Sequence, residues 1–79
     1  MIQPDELKRQ APLVWSAGNG TEVWELFRAC ASGDLGAVER LVDGNAALVR
    51  AHFEYRTPLY LAVRENHLTV ARFLVDRGA

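Results

Sequence analysis

The sequence lacks the features that mark secreted, membrane-anchored and nucleic-acid-binding proteins. It has one cysteine, Cys30, which cannot form an internal disulfide and therefore fits a reducing, cytoplasmic compartment. Residues 1–20 contain two prolines and no long apolar run, which argues against a signal peptide or a membrane anchor. The net charge is −1 and Lys8-Arg9 is the only adjacent basic pair, so we expect neither nucleic acid nor a membrane as a partner.

Groups that could carry catalysis or bind a metal are few and poorly spaced. Cys30 could act as a nucleophile with His52 or His67 as its base, but its place on an apolar helix face favours a small buried residue. A zinc site built from Cys30, Asp34 and the two histidines lacks the close spacing of zinc ligands. Residues 18–20 are glycine-rich but lack the lysine and the preceding strand of a phosphate-binding loop. We therefore expect no enzyme activity, no metal and no cofactor.

Residues 57–79 have the pattern of two short helices folded against each other. Thr57 is suited to cap the first helix, and Pro58 suits its first position, where a missing N–H group costs nothing. Apolar residues then recur at helical spacing, namely Leu59, Ala62 and Val63 in the first helix and Leu68, Ala71, Leu74 and Val75 in the second. Asn66 and Gly78 are predicted to end the two helices, because both tolerate the left-handed conformation.

The same unit occurs a second time, 33 residues earlier in the chain. A shift of 33 residues superposes seven identical pairs, which are Leu26/Leu59, Ala29/Ala62, Leu35/Leu68, Leu41/Leu74, Val42/Val75, Asp43/Asp76 and Ala46/Ala79. The helix ends match as well, since Gly33 aligns with Asn66 and Asn45 aligns with Gly78. All four residues tolerate positive φ, so each unit is predicted to break at the same places.

The second unit carries four short motifs in a fixed order: Thr57-Pro58-Leu59-Tyr60, Leu61-Ala62-Val63, Asn66-His67 and Gly78-Ala79. These resemble the Thr-Pro-Leu-His, Leu-Ala-Ala, Gly-His and Gly-Ala motifs of the ankyrin repeat family, whose period is 33 residues. The resemblance covers residues 21–79. It departs from the family at Tyr60, which replaces His, at Trp24-Glu25, which replaces Thr-Pro, and at Tyr55, where the family prefers Gly.

The resemblance implies an all-α fold, an ankyrin-repeat solenoid of stacked helix-turn-helix units with a hairpin-like connecting loop. Two repeats are expected, at about residues 21–53 and 54–79. Residues 1–20 form an N-terminal extension with a short helix over residues 4–11, which we expect to cap the first repeat because terminal repeats need covering. The alternative is a disordered leader.

Several local features of the two repeats are also predicted. Thr21 is expected to cap the first inner helix and Asp34 the next helix, which ends at Gly44 and Asn45. In the connection that follows, Leu48 and Val49 are expected to lie under the helices.

The resemblance implies a non-catalytic module that binds a protein partner through its concave face and its loop tips. On this basis the predicted partner-binding residues are Phe53, Glu54, Arg56, Arg64 and Glu65. Phe53 is expected to be the anchor, because an exposed aromatic residue at a loop tip indicates a binding site. The alternatives are an N-terminal docking or regulatory part of a longer enzyme or effector, and a small independent enzyme.

The C-terminal face of the second repeat is unusually apolar. Phe73 aligns with Arg40 of the first unit, and two repeats are fewer than the roughly three that a stable stack usually needs. We therefore expect either a fragment of a longer array or self-association through this face. The alternative is a monomer whose end face is in contact with water.

Overall fold

The computed structural model of the protein describes residues 2–8, residue 10 and residues 18–79. It contains four α-helices, which are α1 (Gly20–Ser32), α2 (Leu35–Gly44), α3 (Pro58–Arg64) and α4 (Leu68–Asp76). Two short 3₁₀ helices, Asp5–Lys8 and Ala46–Arg50, precede α1 and follow α2. Within the described ranges the backbone forms no strand, and none of the helices has the length and hydrophobicity to span a bilayer.

Helix α1 begins two residues earlier than the sequence predicts. Asn19 is the N-cap: its backbone is extended and its side-chain oxygen accepts a hydrogen bond of 2.9 Å from the Glu22 N–H group. The prediction that Thr21 caps this helix was wrong. Thr21 lies inside α1, and its hydroxyl donates to the Asn19 side chain at 2.9 Å. Asn is at least as good an N-cap as Thr, so the earlier residue takes the role.

The other two predicted caps are confirmed. Asp34 accepts a hydrogen bond from the Ala37 N–H group at 3.1 Å at the start of α2. Thr57 accepts one from the Tyr60 N–H group at 3.0 Å at the start of α3, where Pro58 occupies the first position. Each bond satisfies one of the backbone donors that a helix leaves without a partner in its first turn.

The breaks between the paired helices are equivalent, but the ends of the outer helices are not. Gly33 has φ 78° and Asn66 has φ 62°, so both turns use the left-handed conformation as predicted. Gly78 also has positive φ, whereas its counterpart Asn45 is extended, with φ −153°. The prediction of equivalence was wrong here because Asn45 takes another role: its side chain accepts from the Ala47 N–H group at 3.3 Å and starts the second 3₁₀ helix.

The helices pack as two antiparallel pairs stacked side by side. Helix α1 packs against both α2 and α3, α3 packs against α4, and α2 meets α4 more lightly. The fully buried side chains are apolar, the largest being Phe27, Leu7, Leu26, Leu48, Leu61 and Leu74. Leu48 and Val49 are buried beneath the helices, as predicted. No buried side-chain nitrogen or oxygen atom of the described part lacks a hydrogen-bond partner.

The N-terminal segment packs on the first pair. Leu7, in the 3₁₀ helix Asp5–Lys8, is completely buried, and this helix lies against α1. Gln3 donates from Nε2 to the carbonyl oxygen of Leu7 at 2.7 Å. The predicted helix over residues 4–11 is thus a shorter 3₁₀ turn over its first part, while residues 9 and 11–17 lie outside the described residues. A capping role for residues 1–20 stays a prediction.

Candidate protein-binding site

Residues 53–56 form a tight β-hairpin between the two helix pairs. The N–H group of Phe53 donates to the carbonyl oxygen of Arg56, the N–H group of Arg56 donates back, and both bonds measure 2.9 Å. The two residues between them, Glu54 and Tyr55, have φ 49° and 68°. Positive φ at both central residues is the requirement of a type I′ turn, the commonest two-residue hairpin connection. Tyr55, where the family prefers Gly, therefore adopts the conformation that Gly would take.

The hairpin exposes a different aromatic residue from the one that the sequence indicated. Phe53 retains only 6% of its exposure and lines a narrow crevice with Leu7, Trp24 and Phe27. The expectation of an exposed anchor at Phe53 was wrong, because this residue stands at the paired base of the turn and its ring joins the core. Tyr55 is fully exposed at the tip. The exposure of Tyr55 could have been predicted from its central position in the turn, where side chains are in contact with solvent.

The other predicted residues lie at the far end of α3. The Arg64 side chain donates from Nε to Glu65 Oε2 at 2.9 Å, and both residues are exposed. This hydrogen bond raises the pKa of the Arg64 guanidinium. The same guanidinium lies 5.8 Å from the ring centre of Tyr60, within the range of a cation–π contact. Tyr60 was not among the predicted residues, although it replaces the polar His of the family motif.

The predicted residues therefore fall into two groups rather than one cluster. Glu54 and half-buried Arg56 belong to the hairpin, whereas Arg64 and Glu65 follow about 10 Å further along α3. Tyr60 is half-exposed and lies between the two groups along the chain. An open and largely apolar groove runs beside it, lined by Thr57, Leu59, Tyr60, Val63 and Arg64.

Two of the chemically reactive side chains, Cys30 and His67, are engaged within the fold. Cys30 is completely buried in α1, and burial raises the pKa of its thiol to about 12, so the thiol is protonated at neutral pH. His67 donates from Nε2 to the carbonyl oxygen of Ala31 at 3.0 Å. In the part of the chain that the structure describes, no three His, Cys, Asp or Glu residues are grouped so as to hold a metal ion.

Comparison with known proteins identifies the family. A family model described as ankyrin repeats (3 copies) matches residues 2–79, which includes residues ahead of the register 21–79 found from the sequence. No curated protein and no solved structure gives a significant match. Four helices paired by matching left-handed turns, with a hairpin between the pairs, agree with the stacked helix-turn-helix architecture of that family. The chain belongs to the ankyrin repeat family.

Proposed function

We propose that this chain is a non-catalytic recognition module that binds a protein partner along a strip from the hairpin tip to the end of α3. Ankyrin repeats mediate protein–protein interaction, and this supports the class of function. The observation that carries the proposal is the pair of exposed tyrosines, Tyr55 at the tip and Tyr60 on α3, with Arg64 beside the second. Tyr and Arg are the residue types enriched among those that contribute most to binding energy.

The strip is held rigid before any partner arrives. Two backbone hydrogen bonds of 2.9 Å close the hairpin between Phe53 and Arg56, and the Thr57 cap fixes the start of α3. The Arg64–Glu65 hydrogen bond restrains the charged end. A partner therefore meets side chains whose backbone is already ordered, so that little additional conformational entropy is lost on binding.

The strip carries both signs of charge, with Glu54 at the tip and Arg64 beside Glu65 at the other end. Charges at the edge of an interface contribute mainly to orientation and to the association rate. We propose that the partner surface is mixed in charge and offers apolar contacts to the two tyrosines. A cytoplasmic location is part of the proposal, because the single cysteine of the chain is a free, buried thiol.

The experiment is an affinity capture from cell extract with three forms of the chain. The strip variant combines Tyr55→Asn, which keeps a residue that tolerates positive φ, with Arg64→Ala. The control variant combines Glu39→Ala and Arg40→Ala, two exposed residues of α2. A protein that is retained by the wild type and the control but lost by the strip variant supports the proposal. Equal retention by all three forms contradicts the assignment of the strip.

A further inference from the structure

The 3₁₀ helix Asp5–Lys8 fills a cleft between α1 and the hairpin. Its buried residue is Leu7, which has no exposed surface and lines a narrow crevice together with residues of both elements. The part of the crevice wall that α1 and the hairpin supply, which we call the aromatic cleft, consists of Trp24, Phe27, Phe53 and Arg56. A side chain that precedes the four α-helices thus occupies a site built by the helices and their connection.

The aromatic cleft has the composition of a site that binds an apolar side chain. Trp24 and Phe27 lie three residues apart on α1, so they share one side of that helix. Aromatic rings bury large areas and dominate the energetics of interfaces, and a few polar groups beside them fix the orientation of what binds. Arg56 supplies such a group. If the segment that carries Leu7 were released, aromatic surface would meet water, which favours another apolar occupant.

The polar bonds described for this segment join its own residues. The N–H group of Leu7 donates to the carbonyl oxygen of Pro4 at 3.0 Å, and Gln3 donates to the carbonyl oxygen of Leu7 at 2.7 Å. Lys8 pairs with Asp5 at 3.3 Å, and both of these side chains are exposed. The segment is therefore a preformed turn that presents one buried leucine, and it can leave the cleft without breaking these bonds.

The spacing of the residues that line the crevice defines what the cleft contacts. Pro4 is half-buried and Leu7 is fully buried, whereas Ile2, which also borders the crevice, is 91% exposed. A 3₁₀ helix has three residues per turn, so residues three positions apart project from the same side. Proline also fixes its own φ near the helical value, which lowers the entropy cost of forming the turn. The contacted feature is a proline followed three residues later by a leucine.

We propose that the aromatic cleft is a binding site for a protein segment with this chemistry, and that residues 2–8 occupy it in cis until such a segment displaces them. The partner is a segment of another protein that carries a leucine on a single turn begun by a proline, with polar residues elsewhere. This inference does not rest on the proposed function, because Tyr55, Tyr60 and Arg64 of the strip do not line this crevice.

The strength of the contact in cis determines what a partner must overcome. Burial of one leucine favours the occupied cleft by about 10- to 100-fold. The apparent affinity of a competing segment is reduced by the same factor, because only the open fraction of the chain can bind it. The connection from Lys8 to α1 is about ten residues long, which corresponds to a local concentration of about 1 mM. A free copy of the segment should then bind an open cleft with a dissociation constant of about 10 to 100 µM.

The experiment measures binding of a fluorescently labelled peptide with the sequence of residues 1–10 to three full-length forms of the chain. Leu7→Glu empties the cleft, because a charged side chain is not stable there, and this form should bind the peptide in the stated range. The wild type should bind it about 10- to 100-fold more weakly. The matched control is Lys8→Ala, which changes an exposed neighbour and should behave as the wild type does. The same peptide with Leu7→Glu should bind none of the three forms.

Equal binding by the wild type and Leu7→Glu overturns the proposal, as does no binding by Leu7→Glu or the milder Leu7→Ala when circular dichroism shows that the helices are retained. Loss of the helices in both variants also overturns it, because Leu7 would then be a fixed part of the core. The NMR spectrum locates the bound peptide. Shifts at Trp24 and Phe27 support the cleft, whereas shifts confined to Tyr60 and Arg64 would place the peptide on the strip and overturn this inference alone.

Discussion

The Nε2–H group of His67 donates a hydrogen bond of 3.0 Å to the carbonyl oxygen of Ala31, which joins the turn of the second repeat to the inner helix of the first. Ala31 lies in the last turn of α1, where carbonyl groups have no partner within the helix. The second repeat thus satisfies a backbone acceptor that the first leaves open. A second link between the repeats, the ion pair of Arg77 with Asp43 at 2.7 Å, is exposed.

The first prediction concerns this hydrogen bond. His67→Ala should lower the free energy of unfolding by about 1 kcal/mol, because the bond is lost and the Ala31 carbonyl remains partly buried. His67→Gln, which keeps a hydrogen-bond donor, should lower the free energy of unfolding by less. Asp43→Asn, which weakens the exposed ion pair, should change stability by less than about 0.5 kcal/mol. Urea unfolding measures all three, and equal losses for the two His67 variants would show that the bond contributes little.

The second prediction compares two glycines on either side of the same turn. Gly33 has φ 78°, and a Cβ atom there would lie 2.5 Å from Nδ1 of His67, so Gly33→Ala should destabilise the fold by about 1 to 3 kcal/mol. Gly36 lies in the first turn of α2, and a Cβ atom there would meet only the Asp34 carboxylate at 3.7 Å. Gly36→Ala should therefore stabilise by about 0.5 kcal/mol. Thermal unfolding of both variants tests whether the effects have opposite signs.

Helices were the part of the fold most readily predicted, because their signals are local. Thr57 and Asp34 stand directly before apolar residues at helical spacing, and Gly33 and Asn66 break both repeats at one register. The start of α1 was harder to predict, because Asn19 and Thr21 are both good capping residues and lie two positions apart. The Asn19 side chain accepts from the Glu22 N–H group and from the Thr21 hydroxyl, so Thr21 supports the earlier cap and does not form one of its own.

The exposure of the side chains was predicted only in part, because exposure is not a local property. Phe53 and Tyr55 are aromatic residues two positions apart, and the pairing of the hairpin decides which lies at the tip. Val63 has the helical spacing of a core residue and the same register as buried Cys30, yet it is half-exposed. The difference between them is whether another helix pair lies alongside, which spacing within one repeat does not encode.

The third prediction concerns strain at the hairpin tip. Tyr55 holds φ 68°, a conformation that is unfavourable for a large side chain and free of penalty for glycine. Tyr55→Gly should therefore raise the free energy of unfolding by about 0.5 to 1 kcal/mol, as measured in urea, because relief of strain exceeds the added entropy of the unfolded chain. Tyr55→Ala removes the ring but keeps Cβ, so it should show none of this gain. If Tyr55→Ala raised the free energy of unfolding by the same amount, the effect would come from loss of the ring and not from relief of backbone strain.

The last prediction concerns Cys30 and the alkaline limit of the fold. Burial raises the pKa of this thiol from 9.0 to about 12, so above pH 9 the unfolded chain loses a proton that the native chain keeps. The protonated thiol makes its full contribution to the free energy of unfolding below pH 9. This contribution falls as the pH rises toward 12, by about 1.4 kcal/mol for each pH unit. Denaturant unfolding from pH 8 to pH 11 should therefore show a steeper decline for the wild type than for Cys30→Ala.

The alanine variant makes this comparison specific, because every other group that titrates in this range is present in both proteins and cancels in the difference. Cys30→Ala should itself cost about 1 kcal/mol at pH 8, since the side chain is wholly enclosed and the smaller residue leaves space unfilled. The wild type is therefore expected to be the more stable form at pH 8, to match Cys30→Ala between about pH 9.5 and pH 10, and to be the less stable form at pH 11, because a loss of about 1.4 kcal/mol for each pH unit soon exceeds the initial difference. Curves that stay parallel up to pH 11 would mean that water reaches the thiol in the native state, and would contradict the close packing of α3 on α1 that the rest of the fold requires.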